Sequence, residues 1–322
     1  MNRDFTITVV VVFNHNYETF IEFLEKFYLK KFDEVFFIMP FYSGNKANVI
    51  PVFGNSFYFG SYIAQASKFL LENTSSDFLL FVADDLFLNP VVTKDNFLEI
   101  FKLNKESGYI PRLSTLKDHK TYWSHARNAR DWDPKIRGIE ISELLPKNHE
   151  TFEKLSKFGS PSLEVSCRSI YPDISYDQFK LHSGNLKQIL KYMFSSLLGK
   201  FFLVLGKSNF KSSLPFYWSY SDIFIVPRED FRVFSNYLGM FSATNLFVEI
   251  AIPTSLALSV KHIVTDLDLE YCGKASWPDF RGRFLELEKY GFNFEYLMEN
   301  YPKSQLYIHP IKLSRWELGN EK

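Results

Sequence analysis

Apolar and polar positions fall into blocks over the first ninety residues. Residues 5–13, FTITVVVVF, form a nearly unbroken β-branched and aromatic run that ends at Asn14-His15-Asn16. A strand covered by helices on both faces of a parallel sheet reads this way, since neither face has to meet water. Residues 17–31 set Phe20, Phe23, Leu24 and Phe27 at helical spacing, and residues 34–40, EVFFIMP, read as a second strand. A short strand at 48–52 (NVIPV) and a helix at 61–73 (SYIAQASKFLLEN) then lead to residues 78–90, FLLFVADDLFLNP. Such alternation predicts a parallel sheet with crossover helices, whose ligands bind outside the carboxyl ends of the strands. Asn14, His15, Asn16, Asp84 and Asp85 all fall at such ends.

The alternation fades over residues 91–215, where Pro111, Pro134, Pro146, Pro161 and Pro172 interrupt the pattern, as expected of insertion material around a core. It returns at 221–227 (SDIFIVP), a strand stopped by Pro227. Two helices follow, EDFRVFSNYLGMF and NLFVEIAIPTSLAL, and the tail SQLYIHPIKLSRW adds a short strand and a loop. Residues 1–110, 111–215 and 216–322 are therefore expected to form two halves and an insertion within one domain. Residues 186–206 are rich in apolar side chains but carry Lys187, Lys191 and Lys200, which disfavours a spanning helix. That segment reads as a buried or amphipathic helix, with an interfacial helix facing anionic lipid as the alternative.

Composition narrows the classes. Lys plus Arg equals Asp plus Glu, 37 against 37, so no overall field recruits nucleic acid, and none is expected as a partner. Cys167 and Cys272 stand far apart, which predicts neither a disulfide framework nor a thiolate zinc site and fits a reducing compartment. The N-terminal run reads as a buried strand rather than a signal peptide, so the expected location is the cytoplasm. No Walker loop, no Gly-x-Gly-x-x-Gly after the first strand and no nucleophile elbow is present.

Candidate chemistry centres on Asp84-Asp85, two carboxylates in an otherwise apolar run, where ionised groups need partners. One reading has them cap the next segment or meet a Lys or Arg. The other gives them a hard divalent cation bridging to a diphosphate. Glu249 is the sole charge in NLFVEIAIPTSLAL and shares a helical face with Ile252 and Leu256, an apolar setting that raises a carboxyl pKa. Pro253 would kink that helix one turn later. Asp222 opens the strand at 221–227, and Tyr217, Trp218 and Tyr220 before it offer faces on which a sugar ring can stack. Residues 112–137 hold seven Lys or Arg against three Asp, interleaved with His119, Trp123, His125 and Trp132, and read as a solvated loop or as a phosphate-facing one.

The order VVVVFNHNY, FYFGSYIAQASKFL, DFLLFVADDLFLNP resembles the nucleotide-sugar half of a GT-A fold glycosyltransferase, over about residues 5–90 and more weakly over 221–316. The resemblance implies a GT-A-like, Rossmann-like α/β fold: a mixed sheet with helices on both faces, plus an irregular or helical insertion. Residues 1–110 would bind the nucleotide-sugar, 111–215 would form the insertion on the acceptor side, and 216–322 would bind the acceptor and close the metal site. Phe13, Asn14, His15 and Asn16 would hold the nucleoside. Ala83-Asp84-Asp85 departs from the DXD motif at its first position, leaving Asp85 as the implied metal ligand and Asp84 near the ribose or a water beyond the metal's direct ligands. His309 and Lys312 resemble the C-terminal histidine and basic residue that reach the metal and the diphosphate. Glu249, or Asp222, would be the general base.

The function these readings predict is metal-dependent transfer, with Mn²⁺ or Mg²⁺, of a sugar from a nucleotide donor such as a UDP-sugar to a glycan or glycolipid hydroxyl, with inversion. The setting would be cell-surface polysaccharide assembly at the inner face of the membrane, with peripheral membrane association. The alternatives are a non-catalytic glycan-binding or assembly subunit and a sugar-phosphate nucleotidyltransferase.

Overall fold

The computed structural model describes residues 5–115, 132–136, 138–158, 216–275 and 285–319, together with His125, Asn128, Ala129 and Leu214. The expected segment at 186–206 lies outside the described residues, as do His119 and Trp123. The described strands in chain order are β1 (Ile7–Val12), β2 (Glu34–Pro40), β3 (Val49–Val52), β4 (Phe78–Ala83), β5 (Phe87–Leu88), β6 (Ser107–Tyr109), β7 (Ser114–Thr115), β8 (Lys135–Ile136), β9 (Ile139–Glu140), β10 (Tyr217–Trp218), β11 (Ile223–Pro227), β12 (His262–Val264), β13 (Cys272–Ala275) and β14 (Gln305–His309).

Seven of these form one mixed sheet in the order β12-β6-β11-β4-β1-β2-β3. The pairs β1–β2, β1–β4, β2–β3 and β6–β12 are parallel, whereas β11 runs antiparallel between β4 and β6. The fold is thus mixed α/β, and the strands expected at 5–13, 34–40, 48–52, 78–83 and 221–227 are all in this sheet. Its edge strand β3 carries the exposed Pro51, which has no N–H to offer a further strand.

The unbroken apolar runs follow from burial on both faces. Ile7, Val9 and Val11 of β1, with Phe78, Leu80 and Val82 of β4, belong to one apolar cluster. Val10 and Val12, with Leu79 and Phe81, belong to a second cluster on the opposite face. Helix Ile21–Leu29 covers the first face through Ile21, Leu24 and Tyr28. Helices Gly60–Asn73, Arg228–Ala243 and Val248–Ser259 cover the second.

A smaller sheet, β13-β14-β5, positions the site. β5 follows directly on Asp84-Asp85-Leu86 and pairs antiparallel with β14, placing Ile308 opposite Phe87. The tail is therefore brought back to the end of β4. Cys272, on β13, is disulfide-bonded, which corrects the expectation of two unpaired thiols; its partner lies outside the described residues. Among the described residues no helix is long and apolar enough to cross a membrane.

Candidate active site

β2 and β3 follow β1 on one side of it, and β4 lies on the other. The carboxyl ends of β1 and β4 therefore form a topological switch point, where open α/β sheets bind ligands. Backbone bonds from Asp84 N to Val12 O (3.1 Å) and from Ala83 N to Asp222 O (2.8 Å) lock three strand ends together there. The residues that line a small pocket between them include Val12, Asn14, Phe59, Ala83, Ser221 and Asp222.

Asp85 is buried at 7% exposure, and the tail supplies its partners. His309 Nε2 stands 3.0 Å from Oδ1, and Lys312 Nζ donates to Oδ2 at 2.8 Å from 227 residues away. Ile311 N donates to the Asp85 carbonyl at 2.7 Å, pinning the intervening loop. Burial alone would raise the Asp85 carboxyl pKa, but the charges of His309 and Lys312 outweigh it and hold the group well below the ordinary carboxylate range. For His309, burial lowers the pKa, and the facing carboxylates of Asp85 and Asp222 turn the net shift upward. Asp84 is half-buried; burial, with the Asp85 charge beside it, pushes its pKa up to about 8. Of the two readings of the aspartate pair, the contact with a lysine therefore holds for Asp85.

A second acidic pair lies near the first. Asp222, half-buried at the start of β11, is raised by burial and by Asp85, and shares a hydrogen bond with Tyr220. The Tyr220 hydroxyl also meets His309 Nδ1. Glu249, in the first turn of helix Val248–Ser259, is pushed up to about 8 by burial and by the charge of Asp222, as its apolar neighbourhood predicts. Pro253 sits inside this helix and has no N–H for the Glu249 carbonyl. Ser219 N fills that place at 3.0 Å, tying the Glu249 turn to the segment that carries Tyr220 and Asp222.

Asp84, Asp85, Asp222, Glu249, His309 and Lys312 thus come together from four separate stretches of chain. Asn14 lines the pocket, while His15 and Asn16 are exposed, and Asn16 Nδ2 donates to Phe41 O at 3.1 Å. Other expected positions fall elsewhere. Phe13 is fully buried against Phe37 and points into the core, so its side chain does not face the site. Tyr217 and Tyr220 are buried with their hydroxyls engaged by Leu155 O and His309, so neither offers a free ring face. Trp218 is half-buried with the Arg112 guanidinium 4.7 Å from its ring centre. Trp132 is a core residue bonded to Thr244, and His125 stacks on Phe247.

Sequence reasoning missed Tyr220 as the partner of His309 and Ser219 as the donor to Glu249. Pro253, four residues after Glu249, was a signal for the second, because it leaves that carbonyl in need of an outside donor. For the first no local signal exists, since Tyr220 and His309 are 89 residues apart. Among the described residues no group of three or more His, Cys, Asp or Glu side chains is arranged to hold a metal ion; Asp85 and His309 form a pair. No protein-family model matches the chain, and no curated protein matches it either. The site is a cationic tail over an aspartate pair, faced by two carboxyls whose pKa values are raised.

Proposed function

We propose that this chain is a GT-A-type glycosyltransferase that moves a sugar from a nucleotide donor, a UDP-sugar, to a glycan or glycolipid hydroxyl. The observation that carries the reading is the return of His309 and Lys312 onto Asp85 at the sheet's switch point. The residues fit a divalent cation. Asp85 Oδ1 is buried with His309 Nε2 3.0 Å away, so a carboxylate oxygen and an imidazole nitrogen face one another there. Carboxylate with imidazole suits Mn²⁺ better than Mg²⁺.

Asp85 and His309 would hold the ion, with Asp84 beside them; bound there, it would offset the charge of the departing nucleoside diphosphate. Lys312, whose side chain is 53% exposed, would turn from Asp85 to the diphosphate. Asn14 and Asp84 would orient the nucleoside. Glu249 would take the proton of the acceptor hydroxyl, with Asp222 positioned to hold that hydroxyl, and Trp218 would offer the sugar a ring face. A direct displacement of this kind inverts the anomeric centre. Polysaccharide assembly at the inner face of a membrane is the setting that suits such an acceptor.

One observation favours a rival: Lys312 and His309 already neutralise Asp85, as they would in a glycan-binding subunit that no longer uses a cation. A thermal-shift panel of nucleotide-sugars with and without Mn²⁺ separates the two. Ligand at about 100 times its Kd adds about 2.7 kcal/mol to the native state. A Mn²⁺-dependent rise in Tm with a UDP-sugar, with transfer abolished in Asp85→Ala, is the expected result. No shift with any nucleotide, with or without metal, would overturn the proposal, and pyrophosphate release from a sugar phosphate and a nucleoside triphosphate would reassign it to nucleotidyl transfer.

A further inference from the structure

His309 uses its two ring nitrogens on two different partners. Nε2 faces Asp85 Oδ1 at 3.0 Å, and Nδ1 meets the Tyr220 hydroxyl. An imidazole that keeps Nε2 open as a ligand carries its single proton on Nδ1 and needs an acceptor for it. The Tyr220 oxygen can accept there when its own proton is donated to the Asp222 carboxylate, with which it shares a hydrogen bond. Tyr220 is also held in place. Its ring is buried and lies edge-on to His309, with centroids 5.3 Å apart. The backbone on either side is tied down by Ser219 N to Glu249 O and by Ala83 N to Asp222 O.

The geometry points to Tyr220 as a positioning residue that fixes the tautomer and ring orientation of His309, keeping Nε2 on Asp85, and joins that end of the site to Asp222. This inference rests on the reading that Asp85 and His309 bind a divalent cation. Outer partners of metal-ligating histidines act by holding the ring where the ion needs it, and their loss costs about 10–100-fold in metal affinity. Tyr220→Phe removes the hydroxyl and leaves the ring that fills the core.

The test is a Mn²⁺ titration of the full chain, without nucleotide, followed by electron paramagnetic resonance, with pulsed measurement of the nitrogen coupling from a bound imidazole. Wild type is expected to bind Mn²⁺ with that coupling. Tyr220→Phe is expected to bind it about 10–100-fold more weakly, with the coupling reduced. Equal affinity and unchanged coupling in Tyr220→Phe would overturn the role of Tyr220 and leave the cation site standing. Absence of Mn²⁺ binding in wild type would overturn the cation reading itself, and this inference with it. Should Tyr220→Phe fail to fold, Asp222→Ala removes the acceptor of the Tyr220 proton from the other side: weaker Mn²⁺ binding with reduced coupling supports the assignment, and unchanged binding overturns it.

Discussion

Glu249 is a buried carboxyl held far from its free state. Its carboxyl would ionise near 4.5 in an unfolded chain, but in the fold it keeps its proton up to about 8. Between those values the native state binds more protons than the unfolded one, so this group's contribution to stability falls as pH rises, and the penalty is complete above about 8. Glu249→Gln removes that slope. Its advantage in Tm over wild type is expected to grow from about pH 5 to about pH 8, and curves that stay parallel would mean the carboxyl titrates normally. If Glu249 is the base, transfer by wild type rises as pH passes about 8, and Glu249→Gln loses about 10²–10⁴-fold. At this scale the sequence showed the charged members of the site, because a lone Asp, Glu or His among apolar neighbours stands out. It misjudged Phe13, Tyr217 and Tyr220, since an aromatic in or beside a strand looks the same whether it faces a ligand or a core.

Elements were legible wherever a period had room to repeat. β1, β2, β4 and helix Gly60–Asn73 are long enough for burial to write a pattern, whereas β5 has two residues and writes none. The antiparallel course of β11 was equally invisible, because a strand buried on both faces reads the same in either direction. The small sheet nevertheless decides where His309 stands, and its register depends on Gly273. A Cβ there would overlap the ring of Tyr307, which is fully buried on the neighbouring β14. Gly273→Ala must push that ring aside or separate β13 from β14, at a cost of about 1–3 kcal/mol for overpacking. Chemical denaturation should show a lower midpoint with an unchanged slope. Mn²⁺ affinity should fall with it, because Tyr307 is two residues from His309; an unaltered midpoint would show that the ring has room to move.

At the scale of the whole molecule, the tail is both part of the site and part of the core. Leu306, Tyr307, Ile308, Ile311, Leu313 and Trp316 are all buried in the cluster on one face of the large sheet. They lie with Phe87, Leu88 and Phe294, and the Trp316 ring stands 5.6 Å from that of Phe292. β14 also bonds to the chain beyond β5, through Asn89 N to Leu306 O and Asn89 Nδ2 to Gln305 O, both at 2.8 Å. The pieces that complete the site were each visible in the sequence as a short strand and a polar loop. Their meeting was not, because it is set by apolar surface that only the folded sheet presents. A chain cut after Ser304 would lose Lys312 and His309, and would also leave Phe87, Leu88, Phe292 and Phe294 facing water. Each such side chain contributes about 1.5–3 kcal/mol when buried, and the exposure of several approaches the about 5–15 kcal/mol that holds a typical domain together. The truncated protein is therefore expected to lack a cooperative thermal transition and to bind a hydrophobic dye, whereas His309→Ala with Lys312→Ala in the full chain should still melt cooperatively, at a lower Tm because buried Asp85 loses its partners, while losing Mn²⁺ binding. A truncated chain that still melted cooperatively within a few degrees of wild type would show that the tail serves the site alone.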